Sequence, residues 1–139
     1  MKKTLLLLTF TLLHLFLSAK DYNVKAYGAV SDGKTLTNDA FNKAIEDAAR
    51  NGGGRIVIPA GEYLCGSIRM KSNIELHFED GAKIIAASEK HQAYDQREPW
   101  EGPQYQDGGH TFFHNSLIWA DGEKNIAITG KGFIDGVGK

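Results

Sequence analysis

The segment from residue 89 to residue 115 contains the side chains best suited to holding a ligand. It carries three His, two Tyr, one Trp and two Phe. Tyr and Trp present flat faces that can stack on sugar rings, and Arg can bind a carboxylate through two parallel hydrogen bonds. We therefore predict that Arg97, Trp100 and Tyr105 contact a saccharide. The alternative is that the aromatic side chains only pack this loop onto the outside of the fold, because most large aromatics bury themselves.

The histidines and the adjacent acids of the chain do not have the spacing that a reactive centre needs. His91, His110 and His114 lack the i+3 or i+4 pairing typical of zinc ligands, so no metal site is expected. Glu79 and Asp80 are neighbours, and neighbours on a strand point to opposite faces, so they cannot share one site. No cofactor is expected either.

Cysteine content and charge exclude two further classes of protein. Cys65 is the only cysteine, so packing rather than disulfides must stabilise the chain, and we expect it to be a buried, inert thiol. Without residues 1–19 the formal charge is −3, because that segment contains two lysines and no acid. A chain without a basic field has little to attract a phosphate backbone, and nucleic-acid binding is not expected.

One helix and a series of short strands are expected to position the segment 89–115. Apolar residues at spacings of three and four predict a helix from about 38 to 50, with Thr37 or Asn38 as its cap and Asn51-Gly52 as its left-handed exit. Elsewhere apolar residues alternate with a period of two, which predicts strands. The predicted strands are Tyr22–Tyr27, Ile56–Ile58, Tyr63–Cys65, Ser67–Met70, Ile74–Phe78 and Ala82–Ala86, with a turn at Ser31–Lys34.

A repeated motif indicates how these strands are arranged. Asn73–Leu76 recurs as Asn125–Ile128, and Arg55–Ile58 is similar to both. The offset from Ile56 to Ile74 is 18 residues, close to one coil of a solenoid, whereas Ile74 and Ile126 lie 52 residues apart, so one coil carries an insertion. In stacked parallel coils the recurring Asn could hydrogen-bond to its neighbour. An antiparallel sandwich would not explain that recurrence, so we predict a parallel β-helix whose helix caps the first coil.

The amino terminus has the three-part layout of a secretory signal. Lys2 and Lys3 precede an apolar run from Leu5 to Leu17, and Ser18-Ala19 offers a small residue for cleavage. The run has 13 residues, fewer than the roughly 20 that a membrane-spanning helix needs, and an uncleaved anchor is the alternative. We expect residues 1–19 to be removed. Residues 20–139 would then be secreted, periplasmic or at the cell surface, with no membrane attachment.

Two groups of motifs resemble a known family. Thr37–Phe41, Gly52–Gly54 and Val57–Tyr63 are similar to the opening module of the pectate-lyase-like β-helix superfamily. Ser116–Ala120 and Asn125–Gly136 resemble glycoside hydrolase family 28, which contains polygalacturonases and rhamnogalacturonan hydrolases. The resemblance covers residues 21–139 and implies an all-β fold: a right-handed parallel β-helix, here its N-terminal coils with a capping α-helix.

The resemblance also implies a substrate and a reaction. Family members hydrolyse galacturonic-acid-containing polysaccharides such as pectin with inversion, using one carboxylic acid and one carboxylate set well apart. The Asn-Thr-Asp segment and the Asp-Asp pair that supply those acids in the family do not occur here, and Asp39 and Asp135 match a cap and a turn. We therefore expect no catalytic residue and no hydrolysis by the chain as given.

The resemblance further implies that an intact member continues for several coils beyond Gly138-Lys139, so we expect an N-terminal fragment. A last coil without a successor exposes apolar strand edge at residues 126–134, through which the fragment is expected to self-associate. A non-catalytic carbohydrate-binding β-helix module and a pectate-lyase-like relative are the alternative functions. Lyases of this fold generally hold calcium between clustered acids, and no such cluster occurs in the sequence.

Overall fold

A computed structural model describes residues 20–97 and 114–137, and these residues form coils of short strands beneath one helix. The helix, α1, spans Asn38–Arg50. The strands of the described residues are β1 (Asp21–Asn23), β2 (Asp32–Leu36), β3 (Gly54–Ile58), β4 (Gly61–Cys65), β5 (Ile68–Arg69), β6 (Ile74–Phe78), β7 (Ala82–Ala86), β8 (Ile118–Trp119), β9 (Ala127–Gly130) and β10 (Phe133–Asp135). Two 3-10 helices lie at Val24–Tyr27 and Glu89–His91.

The strands stack into three sheets: sheets A and B each contain four described strands, and sheet C contains two. Sheet A has the order β1-β3-β6-β9, sheet B has the order β2-β4-β7-β10, and sheet C pairs β5 with β8. Every pairing between described strands is parallel. The predicted right-handed parallel β-helix is therefore confirmed, and the antiparallel sandwich is excluded, because β6 and β9 run side by side with Leu76 opposite Ile128.

The register of the coils differs from the one predicted. Gly54 lies opposite Ile74 and Ile56 opposite Leu76, so this coil has 20 residues rather than 18. A shift of two residues leaves the alternation of apolar and polar positions intact, which is why the sequence pattern could not exclude it. The 52-residue offset is correct, because Leu76 pairs with Ile128 on β9.

Asparagines at equivalent turns of two coils join those coils, as predicted. The Asn125 Nδ2 donates a hydrogen bond to Asn73 Oδ1 at 2.9 Å. Both residues have positive φ, 63° at Asn73 and 56° at Asn125, in the left-handed region that Asn tolerates better than most residues. Gly53 takes the equivalent place one coil earlier. A Cβ there would lie 2.5 Å from the Asn73 Cβ, so a side chain cannot extend the ladder.

Inward-facing side chains of sheets A and B fill one apolar core, which α1 closes at one end. Phe41 of α1 meets Tyr63 edge to face, with ring centroids 5.7 Å apart. Cys65 is buried in the core, as predicted, and burial raises the pKa of its thiol. The helix buries Ala40, Phe41, Asn42, Ala44, Ile45 and Ala48, whereas Ala49 is only partly buried.

Three local predictions in the first coil and at the start of α1 are correct only in part. Of the strand predicted at Tyr22–Tyr27, only Tyr22 and Asn23 are extended, as part of β1, because the Asn23 side chain accepts from the Lys25 N–H and turns the chain into a 3-10 helix. The turn predicted at Ser31–Lys34 is present as an irregular stretch within β2: Gly33 has a φ of 67° and Asp32 Oδ1 accepts from the Lys34 and Thr35 N–H groups, between the paired residues Asp32 and Leu36. Thr37 precedes α1 without capping it, because its Oγ1 accepts from the Val30 N–H instead.

Sheet C is shorter than the sequence pattern suggested. Ser67–Met70 was predicted as a strand, but only Ile68–Arg69 is extended, because Ser67 turns towards the segment that follows β7. The predicted signal at residues 1–19 lies outside the described residues. Within the part of the chain that the structure describes, no helix has the length and apolarity of a membrane span.

Candidate functional site

The insertion, residues 89–115, begins directly after β7 and returns to the outer face of sheet C. Its described parts are residues 89–97 and 114–115. Two strands meet it there. Arg69 of β5 lies opposite Trp119 of β8, and both side chains point outward because their neighbours Ile68 and Ile118 belong to the core side. Two outward residues in register on adjacent strands are close enough to share one partner.

That shared partner is Asp95 of the insertion. The Arg69 guanidinium donates from Nε to Asp95 Oδ2 at 2.8 Å and from Nη2 to Oδ1 at 2.5 Å. The Trp119 indole Nε1 donates to the same Oδ2 at 2.8 Å. Arg69 holds the pKa of the Asp95 carboxyl below its usual range, burial works in the opposite direction, and Trp119 adds to the lowering. Asp95 is therefore an ionised acceptor that fastens the insertion to both strands of sheet C.

Ser67 anchors the backbone of the insertion beside this ion pair. Its N–H donates to the Ala93 carbonyl at 3.0 Å, and its Oγ accepts from the Asp95 N–H at 2.9 Å. The same Oγ donates to the Ser116 carbonyl at 2.8 Å, which ties the two ends of the insertion together. Ser67 is 2 % exposed, so these bonds form away from solvent. Removing its hydroxyl would leave buried backbone groups without partners.

Two aromatic residues of the site have different surroundings. Tyr94 packs against Leu64, Ile85 and Ala87, and its hydroxyl donates to the Ala87 carbonyl at 2.7 Å. This side chain therefore packs the insertion onto the coil, as the packing alternative foresaw. His114 instead stacks on Trp119 with ring centroids 3.9 Å apart, and both rings are partly exposed.

Two depressions open on the surface next to the ion pair. One has a volume of about 480 Å³ and is lined mainly by polar residues: Glu89, Gln92, Tyr94, Asp95, Gln96 and Asn115. The other, of about 500 Å³, runs from the end of β7 past Tyr94 and Asn115 to Gly136 and Val137. Amide and carboxylate groups around a shallow hollow are suited to hydrogen-bonding a ligand rich in hydroxyl groups.

Only one of the three predicted binding residues is described by the structure. Arg97 is exposed, one residue beyond Gln96, and its contact with a saccharide stays a prediction. Trp100 and Tyr105 lie outside the described residues. Arg69, Asp95 and Trp119 were not predicted as a group. Outward placement of Arg69 and Trp119 follows from strand alternation, but no spacing in the sequence indicates that Asp95 bridges them.

Five of the described carboxyl groups are held as hydrogen-bond acceptors, and their pKa values are lowered. In each of them a hydrogen bond to the carboxylate is the main cause of the lowered pKa. They are Asp21, Asp32 (lowered to about 2), Asp47, Asp95 and Glu123. A general acid that cleaves a glycosidic bond needs a raised pKa. Residues 20–97 and 114–137 also contain no cluster of three or more His, Cys, Asp or Glu placed to hold a metal.

Comparisons with known proteins extend over nearly the whole described chain. A family model described as rhamnogalacturonase A/epimerase, pectate lyase-like, matches residues 22–137. An exo-poly-α-D-galacturonosidase of Dickeya chrysanthemi is 33% identical over 86% of this chain and 20% of its own length. An alginate lyase of Azotobacter vinelandii, Alginate lyase 7, is 43% identical over 49% of this chain and 7% of its own length.

A solved structure gives the same picture in three dimensions. The hyperthermoactive exopolygalacturonase of Thermotoga maritima superposes with a TM-score of 0.68 and 33% identity, over 85% of this chain and 25% of that one. The chain thus spans a quarter or less of the length of each of these three proteins.

Proposed function

The chain belongs to the rhamnogalacturonase A/epimerase, pectate lyase-like family, and on that basis we propose that it forms the helix-capped coils of a glycoside hydrolase that acts on pectic polysaccharide. The observation that carries this proposal is the 33% identity to an exo-poly-α-D-galacturonosidase over 86% of the chain. The superposition on an exopolygalacturonase supports the same assignment.

The role we propose for the outer face of sheet C is to bind the polysaccharide. The hollow beside Asp95 offers the amides of Gln92, Gln96 and Asn115 to sugar hydroxyl groups. The partly exposed Trp119 and His114 rings supply a flat apolar surface next to it. Arg97 and the insertion residues Trp100 and Tyr105 are proposed to extend this surface along the ligand.

We propose that the described acids do not cleave the bound chain. An inverting hydrolase needs one carboxyl that stays protonated near neutral pH and a second that activates water. Asp21, Asp32, Asp47, Asp95 and Glu123 have lowered pKa values, which supports a role of these residues in binding and ion pairing. In this proposal the reactive carboxyls of the enzyme belong to other coils.

Binding and turnover measured on one sample test this proposal. Residues 20–139 should bind polygalacturonate in affinity electrophoresis and should not bind neutral galactan, because the ligand class is a polyanionic sugar. No reducing ends should appear above a blank over the same period. Migration that polygalacturonate in the gel does not slow would contradict the binding role. Release of reducing ends would contradict the assignment of catalysis to other coils.

A lyase-like function is the second candidate, and the identity of 43% to an alginate lyase over about half the chain favours it. Elimination gives a product with an unsaturated uronate that absorbs ultraviolet light, whereas the product of hydrolysis has no such group. The same sample incubated with alginate and with polygalacturonate, with and without added calcium, distinguishes the two. Binding without any product would instead favour a non-catalytic carbohydrate-binding module.

We also propose that the protein is exported. Lys2, Lys3 and the apolar run Leu5–Leu17 support a signal that is removed near Ala19. Amino-terminal sequencing of the full chain expressed in a bacterial host would begin near Lys20 if the signal is cleaved. A mature protein that begins at Met1 and fractionates with membranes would favour the uncleaved anchor.

A further inference from the structure

The ion pair between Arg69 and Asp95 has the geometry with which a protein would recognise an external carboxylate. Two N–H groups of one guanidinium face the two oxygens of one carboxylate, at 2.8 and 2.5 Å. This paired arrangement is specific for planar carboxylates, and every residue of a galacturonate chain carries one. Asp95 therefore occupies the position on Arg69 that the carboxylate of a uronate would need.

We propose that Arg69 is a binding site for the carboxylate of a uronic acid, and that Asp95 is an internal competitor which the ligand displaces. This inference rests on the proposed function, because it takes a uronate polymer as the ligand. The exchange breaks the Arg69 and Trp119 hydrogen bonds to Asp95 and forms the same paired contact with the uronate.

The exposure of the two partners allows such an exchange. The Arg69 side chain is 47% exposed, so a ligand can reach the guanidinium from solvent. The Asp95 side chain is 18% exposed and lines the polar hollow of about 480 Å³, so the displaced carboxylate has an open space to enter. The sugar ring of a ligand on Arg69 would lie beside Trp119, the register neighbour of Arg69.

The Arg69 backbone and the Asp95 backbone are each held by contacts that do not involve the Asp95 side chain. The Arg69 N–H donates to the side chain of Asn42, a residue only 6 % exposed that also bonds the Ser67 carbonyl. The Asp95 backbone is held separately by Ser67. Rotation of the Asp95 side chain therefore requires no change in the coil, and the Ser67 anchor survives the exchange.

The carboxylates of Asp95 and of a bound uronate compete for Arg69. Asp39 and Glu46 of α1 already act electrostatically on Arg69. A uronate carboxylate added beside an ionised Asp95 would place further negative charge on one guanidinium, which like-charge repulsion opposes. Asp95 already uses the Nε and Nη2 donors, so only one carboxylate at a time can hold this paired contact, and the apparent affinity is reduced by the fraction of molecules in which Asp95 holds it.

The Asp95→Asn variant tests the proposal, because its affinity for the ligand should rise if Asp95 competes with the ligand and should not rise if Asp95 only anchors the insertion. The amide keeps the size of Asp95 and an acceptor oxygen for Trp119 but removes the charge that holds Arg69. If Asp95 competes, this variant binds trigalacturonate more tightly, by up to about tenfold if a tenth of the wild-type molecules have a free Arg69. If Asp95 only anchors the site, binding weakens or stays the same, and that result would overturn the proposal.

The control ligand is trigalacturonate whose carboxyl groups are methyl-esterified. It keeps the sugar rings but carries no charge. Titration calorimetry on residues 20–139 should show a preference for the free acid over the ester in the wild type and a larger one in Asp95→Asn. Arg69→Gln should abolish that preference for the free acid over the ester. A preference that persists in Arg69→Gln would contradict the assignment.

A measurement on the wild type alone guards against a variant that fails to fold. The Trp119 indole N–H loses its acceptor when Asp95 turns away, so its NMR resonance should move and its hydrogen exchange should accelerate as trigalacturonate is added. Ligand binding with an unchanged Trp119 resonance would refute the exchange and leave the proposed function intact. Absence of binding to any uronate oligomer or polymer by every variant would instead refute the proposed function, and this inference with it.

Discussion

Gly66 lies at the point where the insertion approaches the coil most closely. A Cβ built on this residue would be 1.8 Å from the Ala93 carbonyl oxygen, too close for any side chain. The constraint is steric rather than conformational, because Gly66 does not have a positive φ. The absence of a side chain at Gly66 thus allows the Ser67 N–H to reach Ala93 and the Asp95 N–H to reach Ser67.

We predict that Gly66→Ala detaches the insertion and leaves the coils folded. The added methyl group must push Ala93 outward, which breaks the bond from the Ser67 N–H, and overpacking of this kind costs about 1–3 kcal/mol of unfolding free energy. Limited proteolysis should cut faster near residues 89–97, and the unfolding midpoint in urea should fall.

Gly136→Ala is the matched control for this substitution. Gly136 also has no positive φ, and a Cβ there would meet nothing within 4 Å. Its effect should stay within about 0.5 kcal/mol, with proteolysis of the insertion unchanged. Equal effects of the two substitutions would show that the contact between Gly66 and Ala93 does not hold the insertion.

At the scale of the elements, the turns that lead into sheet A set the register of the stack. Asn73 and Asn125 occupy equivalent left-handed positions before β6 and β9 and bond to each other through their side chains. Ser72 and Glu123 strengthen the same connection, because the Ser72 N–H and hydroxyl both donate to Glu123 Oε2. Successive coils are thus fastened at a corner of the solenoid as well as along the sheets.

We predict that two substitutions of Asn73 separate the conformational role from the hydrogen bond. Asn73→Gly keeps the left-handed turn but loses the amide, and should cost about 1 kcal/mol. Asn73→Ala loses the amide and also places a Cβ in the left-handed region, and should cost about 1–2 kcal/mol more.

Chemical denaturation of the two variants in parallel gives both differences, with Asn73→Gly as the control for Asn73→Ala. A larger loss in Asn73→Gly than in Asn73→Ala would contradict the assigned role of the positive φ. No loss in either variant would show that the ladder does not stabilise the stack.

At the scale of the whole molecule, the two ends of the described coil stack differ. Helix α1 packs over the core at the first coil, whereas β9 and β10 each have only one described neighbour strand. Ile128 of β9 is 52% exposed and Phe133 of β10 is 62% exposed. Strand edges with exposed apolar side chains are templates for pairing with another chain.

We predict that residues 20–139 self-associate through β9 and β10. The double substitution Ile128→Glu and Phe133→Glu should lower the association constant at least tenfold, because it removes apolar area and places like charges at the contact. Sedimentation velocity over a range of concentrations measures the change.

Val30→Glu with Leu36→Glu is the matched control, because these side chains are exposed to a similar extent, 42% and 39%, near the opposite end of the stack. This pair should leave association unchanged. Equal effects of the two double variants would attribute association to net charge rather than to the edge strands, and would refute the prediction.

The sequence by itself determined the class of fold and most of its elements. Alternation with a period of two specified the strands Ile74–Phe78 and Ala82–Ala86 to the residue, and spacings of three and four specified α1. The recurring Asn specified the parallel stack and its amide ladder. These features depend on neighbouring residues or on a repeat, so the information needed to infer them is local.

Only the tertiary structure decided which residues share the outer face of sheet C. Arg69, Asp95 and Trp119 are separated by 26 and 24 residues, and they meet because the insertion folds back onto two adjacent strands. The coil length of 20 rather than 18 was decided in the same way, because both values preserve the alternation and only strand pairing distinguishes them. Contacts between distant residues depend on the path of the chain between them, which local periodicity does not encode.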